Sequence, residues 1–356
     1  MTKLPIFSAI LILTLTCIAQ ERPATTITPQ QVNEVINHLE ENLKAYVFPK
    51  VSDELRKQID AHRSDYCTIS DPNTLAARLT ADLRSVGHDQ HLQVGFGWEL
   101  GFQKEPTPEE KQHAHAFDHA NSYGIGTYRR LPGNIGYINL AFFSPDADAG
   151  SAIAAVMQLV SGTDALIIDL RHNGGGSGES ALTLLSYFFE EPTQLSSMEE
   201  REGDQIHEHQ QWTAPYVAGP RFLSKPVFVL TSLHTHSAAE FVAYDLKNTH
   251  RATIVGEQTG GHAHAATGEI NLGYGFSALI PNAQPKSPVT HTNWEGVGVE
   301  PDVVTDPGGA LLSAYKLALK DAKLGAESEK LSKERLGAIQ DPEGALNEEI
   351  KSVPMK

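Results

Sequence analysis

The chain has 356 residues, enough for two or three compact domains, and its hydrophobic and charged fractions of 40% and 20% are those of an ordinary globular protein. With 44 acidic against 28 basic residues, its formal net charge at pH 7 is −16. A surface of that sign repels phosphate backbones and anionic lipid headgroups, so nucleic acids and membrane surfaces are not expected partners.

The first residues have the pattern of a secretory signal. Lys3 is followed by a mostly apolar stretch, Leu4 to Leu15, and small residues at Cys17 and Ala19 allow cleavage after Ala19. Residues 1–19 are therefore predicted to be a signal peptide of an exported, periplasmic or extracellular protein. A lipid anchor on Cys17 is the alternative, although the preceding residues fit a lipobox poorly. No later stretch has the ~18 apolar residues of a membrane helix, so no stable membrane span is expected.

Residues 24–100 are predicted to form a helical domain. Thr28 can cap a helix that begins at Pro29, with Gln31 completing a capping box. Two more helices are expected, over 52–63 and 72–86, and Gly87 would end the second of them. Because Cys17 leaves with the signal peptide, Cys67 remains alone and no internal disulfide is expected.

The pattern changes along the remaining chain. The connecting region 101–133 is polar, and its His113, His115 and His119 have a spacing that could hold a metal, but a solvated loop or short helix is favoured and no metal is predicted. Residues 134–322 alternate strand-like and helical runs, which predicts an α/β core. The strands are expected at 135–140, 165–170, 227–230, 253–255 and 276–280. The charged tail, 323–356, is expected to fray.

Two segments of this core have the residue types of a nucleophilic site. A buried strand runs into Gly174, Gly175 and Gly176, whose backbone N–H groups can crowd toward an anion. A second buried strand leads through a short turn to Ser237, where a helix begins. A serine there is usually a plain cap, but the same position offers a hydroxyl beside free N–H groups that could hold an oxyanion.

Several motifs in the same order give this chain a family resemblance. The runs 231–240 (TSLHTHSAAE), 255–261 (VGEQTGG) and 169–175 (DLRHNGG) resemble the catalytic core of tail-specific, or C-terminal processing, peptidases. The N-terminal region, with Asp89-Gln90-His91-Leu92, looks like the helical domain of interphotoreceptor retinoid-binding protein modules. The resemblance spans about residues 30–320 and implies a crotonase-like ββα core. Only about 40 residues separate His91 from Asn134, so no PDZ domain is expected.

The resemblance also implies roles for individual residues. Ser237 matches the nucleophile, and the N–H groups of Ala238 and of Gly175 or Gly176 match the oxyanion donors. The lysine that activates the serine in bacterial processing peptidases is replaced by His262. The tricorn-like branch instead uses a histidine and a glutamate, which match His91 and Glu295. His91 is the favoured base and His262 the alternative, since a neutral imidazole can take the serine proton near pH 7. Gln90 stands where the tricorn branch has a serine.

The predicted function is peptide-bond hydrolysis through an acyl-enzyme on Ser237, with a peptide or protein as substrate and no cofactor. A carrier of a hydrophobic, retinoid-like ligand is the main alternative, because members of the same fold bind such ligands. An esterase that uses the same triad is the third. The sequence leaves the oligomeric state and the cleavage preference open.

Overall fold

The computed structural model describes residues 26–97, 107–266, 268–322 and 329–352, so the predicted signal peptide and Cys17 lie outside the described residues. The helices are α1 Pro29–Leu43, α2 Pro49–Ala61, α3 Arg63–Tyr66, α4 Pro72–Gly87, α5 Pro108–Ala120, α6 Ala149–Val160, α7 Gly178–Leu185, α8 Ala238–Asn248, α9 Pro307–Asp321, α10 Glu329–Gln340 and α11 Pro342–Ser352. The strands are β1 Gln93–Phe96, β2 Ile125–Leu131, β3 Ile135–Leu140, β4 Ala165–Asp169, β5 Ser197–Glu202, β6 Gln205–His209, β7 Val227–Thr231, β8 Thr253–Gly256, β9 Glu269–Gly273, β10 Phe276–Leu279, β11 Ala283–Lys286 and β12 Val303–Val304.

The second half of the chain is built on a six-stranded sheet in the order β12-β8-β7-β4-β3-β2. All neighbours pair in parallel except β2 and β3. Strands β4 and β7 are buried along their whole length, as expected for strands covered on both faces. Helices α6, α7 and α8 pack on one face of the sheet and α9 on the other. The predicted α/β core is therefore confirmed.

The N-terminal helices share their core with strands from the second half of the chain. Strand β1 pairs with β10, which pairs with β9, and this small sheet is separate from the α/β sheet. Leu272, Phe276 and Ala278 of the β9–β10 hairpin are buried in the same apolar cluster as helices α1, α2 and α4. The strand predicted at 276–280 exists, but assigning it to the α/β core is wrong. The pattern of apolar residues in a strand shows which side chains are buried, and it does not show which strand is the neighbour in the sheet.

Two local expectations concern helix ends, and both are confirmed. The capping box is confirmed, because Thr28 accepts from the Gln31 N–H while the Gln31 side chain accepts from the Thr28 N–H. The expected end of this helix at Gly87 is confirmed. Gly87 is the last residue of α4, and His88 takes the left-handed conformation with φ 49°. A Cβ on Gly87 would lie 2.4 Å from Leu92 Cδ1, so a larger residue there would require the Leu92 side chain to move.

The charged tail also differs from expectation over residues 329–352, which form α10 and α11 instead of fraying. Ala338 and Leu346 are buried in the cluster that surrounds α9. Glu334 accepts two hydrogen bonds from Arg130, at 2.8 and 3.0 Å. Most of the charged residues of this segment face solvent, although Arg335 is buried, and each of the two helices buries an apolar residue. Among the described residues, no helix is both long and apolar enough to cross a bilayer.

Candidate active site

The candidate site lies where three adjacent parallel strands end. Strand β4 runs into the glycine loop 174–176, β7 leads to Ser237, and β8 leads to the loop 257–262. The carboxyl ends of parallel strands meet at one edge of a sheet, which brings segments that are distant in sequence together. Asn173 is fully buried and connects the segments that follow β4 and β7, because its backbone carbonyl accepts a hydrogen bond from the His236 N–H at 3.0 Å.

Ser237 has an unusual backbone conformation at the N-terminus of α8. Its φ and ψ are 52° and −121°, a region that L-residues rarely adopt. The Ser237 N–H donates to Glu240 Oε2 at 2.9 Å, so the first turn of the helix holds the strained residue in place. Helix N-termini carry a partial positive charge and free N–H groups, and Ala238 begins this helix.

The glycine loop lies directly against Ser237. A Cβ on Gly175 would come within 2.7 Å of Ser237 Cβ and within 3.1 Å of the Ala238 nitrogen, so only glycine fits. The Gly175 N–H donates to Asn173 Oδ1 at 2.8 Å and is already engaged. This leaves Gly176 as the better candidate for the second oxyanion donor. Its conformation is fixed by a bridge to Phe143, and its φ is 122°.

A largely apolar cavity of about 220 Å³ opens beside Ser237. Gly176, Ser237 and Ala238 line this cavity, together with Phe241, Ala263 and Trp294. Trp294 is 2% exposed, and it also lines this cavity. The cavity therefore places apolar surface next to a hydroxyl and to backbone donors.

Three histidines form a cluster next to the nucleophile candidate, here called the histidine cluster: His91, His236 and His262. The His262 ring packs edge-to-face on His236, with ring centroids 4.3 Å apart, and on His91, with centroids 5.5 Å apart. Since His236 precedes Ser237, both base candidates lie in the same neighbourhood as the serine. The Nδ1 atoms of all three rings are buried and have no hydrogen-bond partner among the described residues.

Burial and mutual repulsion keep these rings neutral. Burial lowers the pKa of His262 to about 4, and the neighbouring His236 and His91 act in the same direction. Burial also lowers the pKa of His91, but the nearby carboxylates of Asp89 and Glu295 oppose that shift. An imidazolium on His91 would therefore be better stabilised than one on His262.

Glu295 lies close to His91 without a hydrogen bond to its Nδ1. Glu295 Oε2 accepts from the backbone N–H groups of Ala263, at 2.6 Å, and His264, at 2.9 Å. Its other oxygen, Oε1, is buried and lacks a partner among the described residues, as does His91 Nδ1. An acceptor and a ring nitrogen, both unpaired, are thus present in one site, which is complementary chemistry for a histidine–carboxylate pair.

The sequence did not single out the buried group behind His91. Asp89 is completely buried and accepts from Tyr46 Oη at 3.0 Å, from the His91 N–H at 2.8 Å and from His264 Nδ1 at 2.7 Å. Asp89 appeared only as part of a motif, and His264 drew no attention. The available indication was the alternation of Ala263, His264 and Ala265, which places one polar side chain on the face opposite two small ones.

Several other histidines lie outside this site. His115 of α5 is half exposed and its Nδ1 lies 2.8 Å from Asp146 Oδ2. His207 and His209 are on the exposed strand β6, each 3.7 Å from a glutamate oxygen. Ion pairs at exposed positions of this kind are ordinary surface features.

Two family models match the chain in sequence order. The N-terminal domain of Peptidase_S41 in eukaryotic IRBP matches residues 25–121, and peptidase family S41 matches residues 134–305. A carboxy-terminal-processing protease of Bartonella bacilliformis is 28% identical over 55% of this chain and 44% of its own. A carboxyl-terminal-processing protease of a Synechocystis species is 31% identical over 49% of this chain and 38% of its own. The chain thus spans less than half the length of either relative.

Solved structures share the fold at low sequence identity. A photosystem II D1 C-terminal processing protease superposes with a TM-score of 0.51 at 16% identity, covering 78% of this chain and 93% of its own. A lipoprotein from Streptococcus agalactiae gives 0.55 at 15% identity, covering 85% and 99%. The two family models describe the N-terminal and catalytic domains of one family and match this chain in that order, so the chain belongs to peptidase family S41.

Proposed function

We propose that the chain is a serine peptidase that hydrolyses peptide bonds through an acyl-enzyme on Ser237. One observation carries the proposal. Ser237 is held at φ 52° at the start of α8, against the glycine loop and at the wall of an apolar cavity. A plain helix cap has no need of a strained backbone, whereas a nucleophile must present its hydroxyl toward a bound carbonyl.

In the proposed reaction, Ser237 Oγ attacks the carbonyl carbon while His91 takes the hydroxyl proton. The carbonyl oxygen becomes an oxyanion, and the N–H groups of Ala238 and Gly176 stabilise it. The C–N bond then breaks, and His91 returns the proton to the leaving amine. Water hydrolyses the acyl-enzyme by the same route, which releases the new carboxylate and restores Ser237.

Electrostatics support His91 over His262 as the base. The imidazolium formed during the reaction is positive, and Asp89 and Glu295 both favour a charge on His91. His262, with its pKa lowered to about 4, would accept a proton much less readily near pH 7. Glu295 Oε1, which is unpaired in the described residues, is the proposed carboxylate partner of His91 Nδ1.

The cavity supports a peptide substrate over a retinoid-like ligand. Its volume of about 220 Å³ is smaller than the ~300 Å³ at which pockets for small-molecule ligands usually begin. It would accept one apolar side chain next to the scissile bond. The names of the relatives, carboxy-terminal-processing proteases, point to protein substrates, and we extend that class of substrate to this chain.

We extend the proposal to the type of α/β core, to the way the substrate is selected and to export. We infer a crotonase-like core and substrate selection without a PDZ domain, because the described residues 107–134 consist of α5, a 3-10 turn and β2. We also infer export, on the basis of Lys3 and the apolar stretch that follows it, with a lipid on Cys17 as the alternative to cleavage.

The test is active-site labelling combined with turnover. A fluorophosphonate probe is expected to label the wild-type protein and not Ser237→Ala, while both keep the same thermal unfolding midpoint. Labelling of Ser237→Ala at the wild-type rate would remove Ser237 from the mechanism. Cleavage of a peptide library, set against short-chain esters, separates a peptidase from an esterase.

The base assignment is tested by comparing two alanine variants. His91→Ala is expected to lower kcat by about 10³-fold or more, as the loss of a triad member does. His262→Ala is expected to change kcat by less than about tenfold, because a lost ring contact shifts the site only slightly. The reverse order of effects would make His262 the base.

A further inference from the structure

Within the proposed site, a hydrogen bond from the backbone of His91 holds this residue in place, and its ring nitrogen Nδ1 makes none among the described residues. Its N–H donates to Asp89 Oδ1 at 2.8 Å, whereas its Nδ1 is 3.9 Å from the same oxygen and has no hydrogen-bond partner among the described residues. The position of the base thus depends on Asp89. Both residues follow α4 and belong to the N-terminal part of the chain.

The imidazole of His264 connects Asp89 to the second half of the chain by a hydrogen bond. Among the three donors to Asp89, Tyr46 and His91 come from the N-terminal region, and His264 comes from the segment after β8. A carboxylate only accepts hydrogen bonds, so His264 Nδ1 carries the proton in this 2.7 Å contact. Burial disfavours the charge on Asp89, but the His264 hydrogen bond and its partners keep the pKa of this carboxyl below its usual value.

His264 also contacts the other carboxylate of the site. Its backbone N–H donates to Glu295 Oε2 at 2.9 Å, and its Nδ1 is 3.8 Å from the same oxygen. Its ring is 6% exposed and packs edge-to-face on Phe48, with centroids 5.2 Å apart. One side chain from the core is therefore inserted into the N-terminal domain, where it links Glu295 to Asp89 and through Asp89 to His91.

The direction of the side chain separates this link from substrate binding. Ala263 and Ala265 both line the cavity beside Ser237, and His264 does not. In an extended segment, neighbouring residues face opposite sides, so the imidazole lies behind the cavity wall. A change at His264 is thus expected to act on the placement of the base while the substrate pocket keeps its surface.

We propose that His264 is a positioning residue, which holds the Asp89–His91 turn against Glu295 and so docks the base carried by the N-terminal domain onto the nucleophile of the core. This inference rests on the proposed function. It adds the pair His264 and Asp89, which joins the part of the site that carries His91 to the part that carries Ser237. It assigns no direct contact between His264 and the substrate.

The experiment compares two substitutions at one position. His264→Leu fills the space without a donor, and His264→Asn keeps an N–H near the place of Nδ1. We expect His264→Leu to lower kcat by about 10- to 100-fold with KM within about twofold, the size of effect seen when an outer partner of a functional group is lost. His264→Asn should restore most of kcat. His113→Leu, at an exposed position on α5, is the matched control and should behave as wild type.

A second readout does not depend on activity. Hydrogen exchange at residues 89–94 should become faster in His264→Leu and stay near wild type in His264→Asn. Wild-type kcat in His264→Leu, or equal losses in the Leu and Asn variants, would overturn the proposal. If His264→Leu fails to fold, Asp89→Asn carries the same expectation, since it keeps the shape and removes the charge. Loss of fluorophosphonate labelling in Ser237→Ala is unaffected by these outcomes, so the two proposals fail separately.

Discussion

At the residue scale, Ser237 and Gly175 depend on each other. The strained backbone of Ser237 brings its Cβ so close to the glycine loop that no side chain fits at position 175. Gly175 also has a φ of 102°, which L-residues rarely adopt. The glycine loop therefore packs directly against Ser237, and the backbone N–H of Gly176 is the one proposed to bind an oxyanion.

We predict that Gly175→Ala disables the site. The added methyl group would meet Ser237 Cβ at 2.7 Å and the His236 carbonyl oxygen at 2.9 Å. The variant should lose fluorophosphonate labelling and about 1–3 kcal/mol in the free energy of unfolding, measured with urea. Gly174→Ala is the matched control, because a Cβ there has nothing within 4 Å. Equal labelling of the two variants would contradict the packing argument.

The pH dependence of the activity follows from the surroundings of His91. Burial lowers its pKa, so the neutral, basic form persists below the ordinary histidine value of ~6.5. The acid limb of kcat/KM should thus have its midpoint below pH ~6.5. Glu295→Gln removes a negative charge that favours the imidazolium, so the midpoint should move to lower pH while the maximal rate falls. A midpoint above 6.5, or one that Glu295→Gln shifts upward, would show that another group limits the rate.

At the element scale, the N-terminus of α8 is fixed by a buried carboxylate. Glu240 is fully buried and accepts from Ser237 and His262 N–H groups through Oε2, and from Thr259 Oγ1 and the Gly261 N–H through Oε1. This one side chain ties the nucleophile turn to the loop that carries His262. Glu240 thus holds the start of its own helix and, through Thr259, Gly261 and His262, a second loop.

We predict that Glu240→Gln destabilises the protein by about 2–4 kcal/mol. The glutamine NH₂ group would face the N–H and O–H groups that now donate to the Glu240 carboxylate. Buried donors would then lack acceptors, which costs free energy of folding. Labelling of Ser237 should slow as well, because the Ser237 N–H and the loop 259–262 lose their common acceptor. Glu54→Gln, at an exposed position on α2, is the control. A free energy of unfolding in Glu240→Gln within 0.5 kcal/mol of wild type would refute this role of the carboxylate.

At the scale of the whole molecule, the apolar residues form three clusters, and the membership of two of them does not follow sequence order. The N-terminal cluster takes in the β9–β10 hairpin from the second half, and the α/β cluster contains the helices around Ser237. His91 belongs to the first part and Ser237 to the second. The site is therefore assembled by docking, and the returning hairpin is one of the connections that maintain it.

We predict that the two clusters open separately. Phe276→Ala should speed hydrogen exchange in α1, α4, β1 and the β9–β10 hairpin, because Phe276 is buried among these elements and packs on Phe96. Each phenylalanine-to-alanine change should cost about 3–5 kcal/mol within its own cluster. The matched variant Phe222→Ala, in the α/β cluster, should speed exchange in β4 and β7 instead. Identical exchange patterns in the two variants would mean that the molecule opens as one unit.

Much of the local structure was predictable because it depends on neighbours in the chain. The capping box of α1, the buried runs β4 and β7 and the start of α8 at Ala238 all follow from residues within one or two turns. The tail was not predictable in the same way. Its charges suggested fraying, whereas burial of Ala338 and Leu346 against α9 stabilises two helices there.

By itself, the sequence determined those helices and strands whose patterns depend on close neighbours, where the glycine loop and Ser237 follow buried strands, and which residue types are available for chemistry. Tertiary structure alone decided that Gly175 packs against Ser237, that His262 lies between His236 and His91, and that His264 joins Asp89 to Glu295. The physical reason is distance along the chain. Residue periodicity reports on a few neighbours, but contacts between residues 89 and 264 form only when separate packed clusters dock.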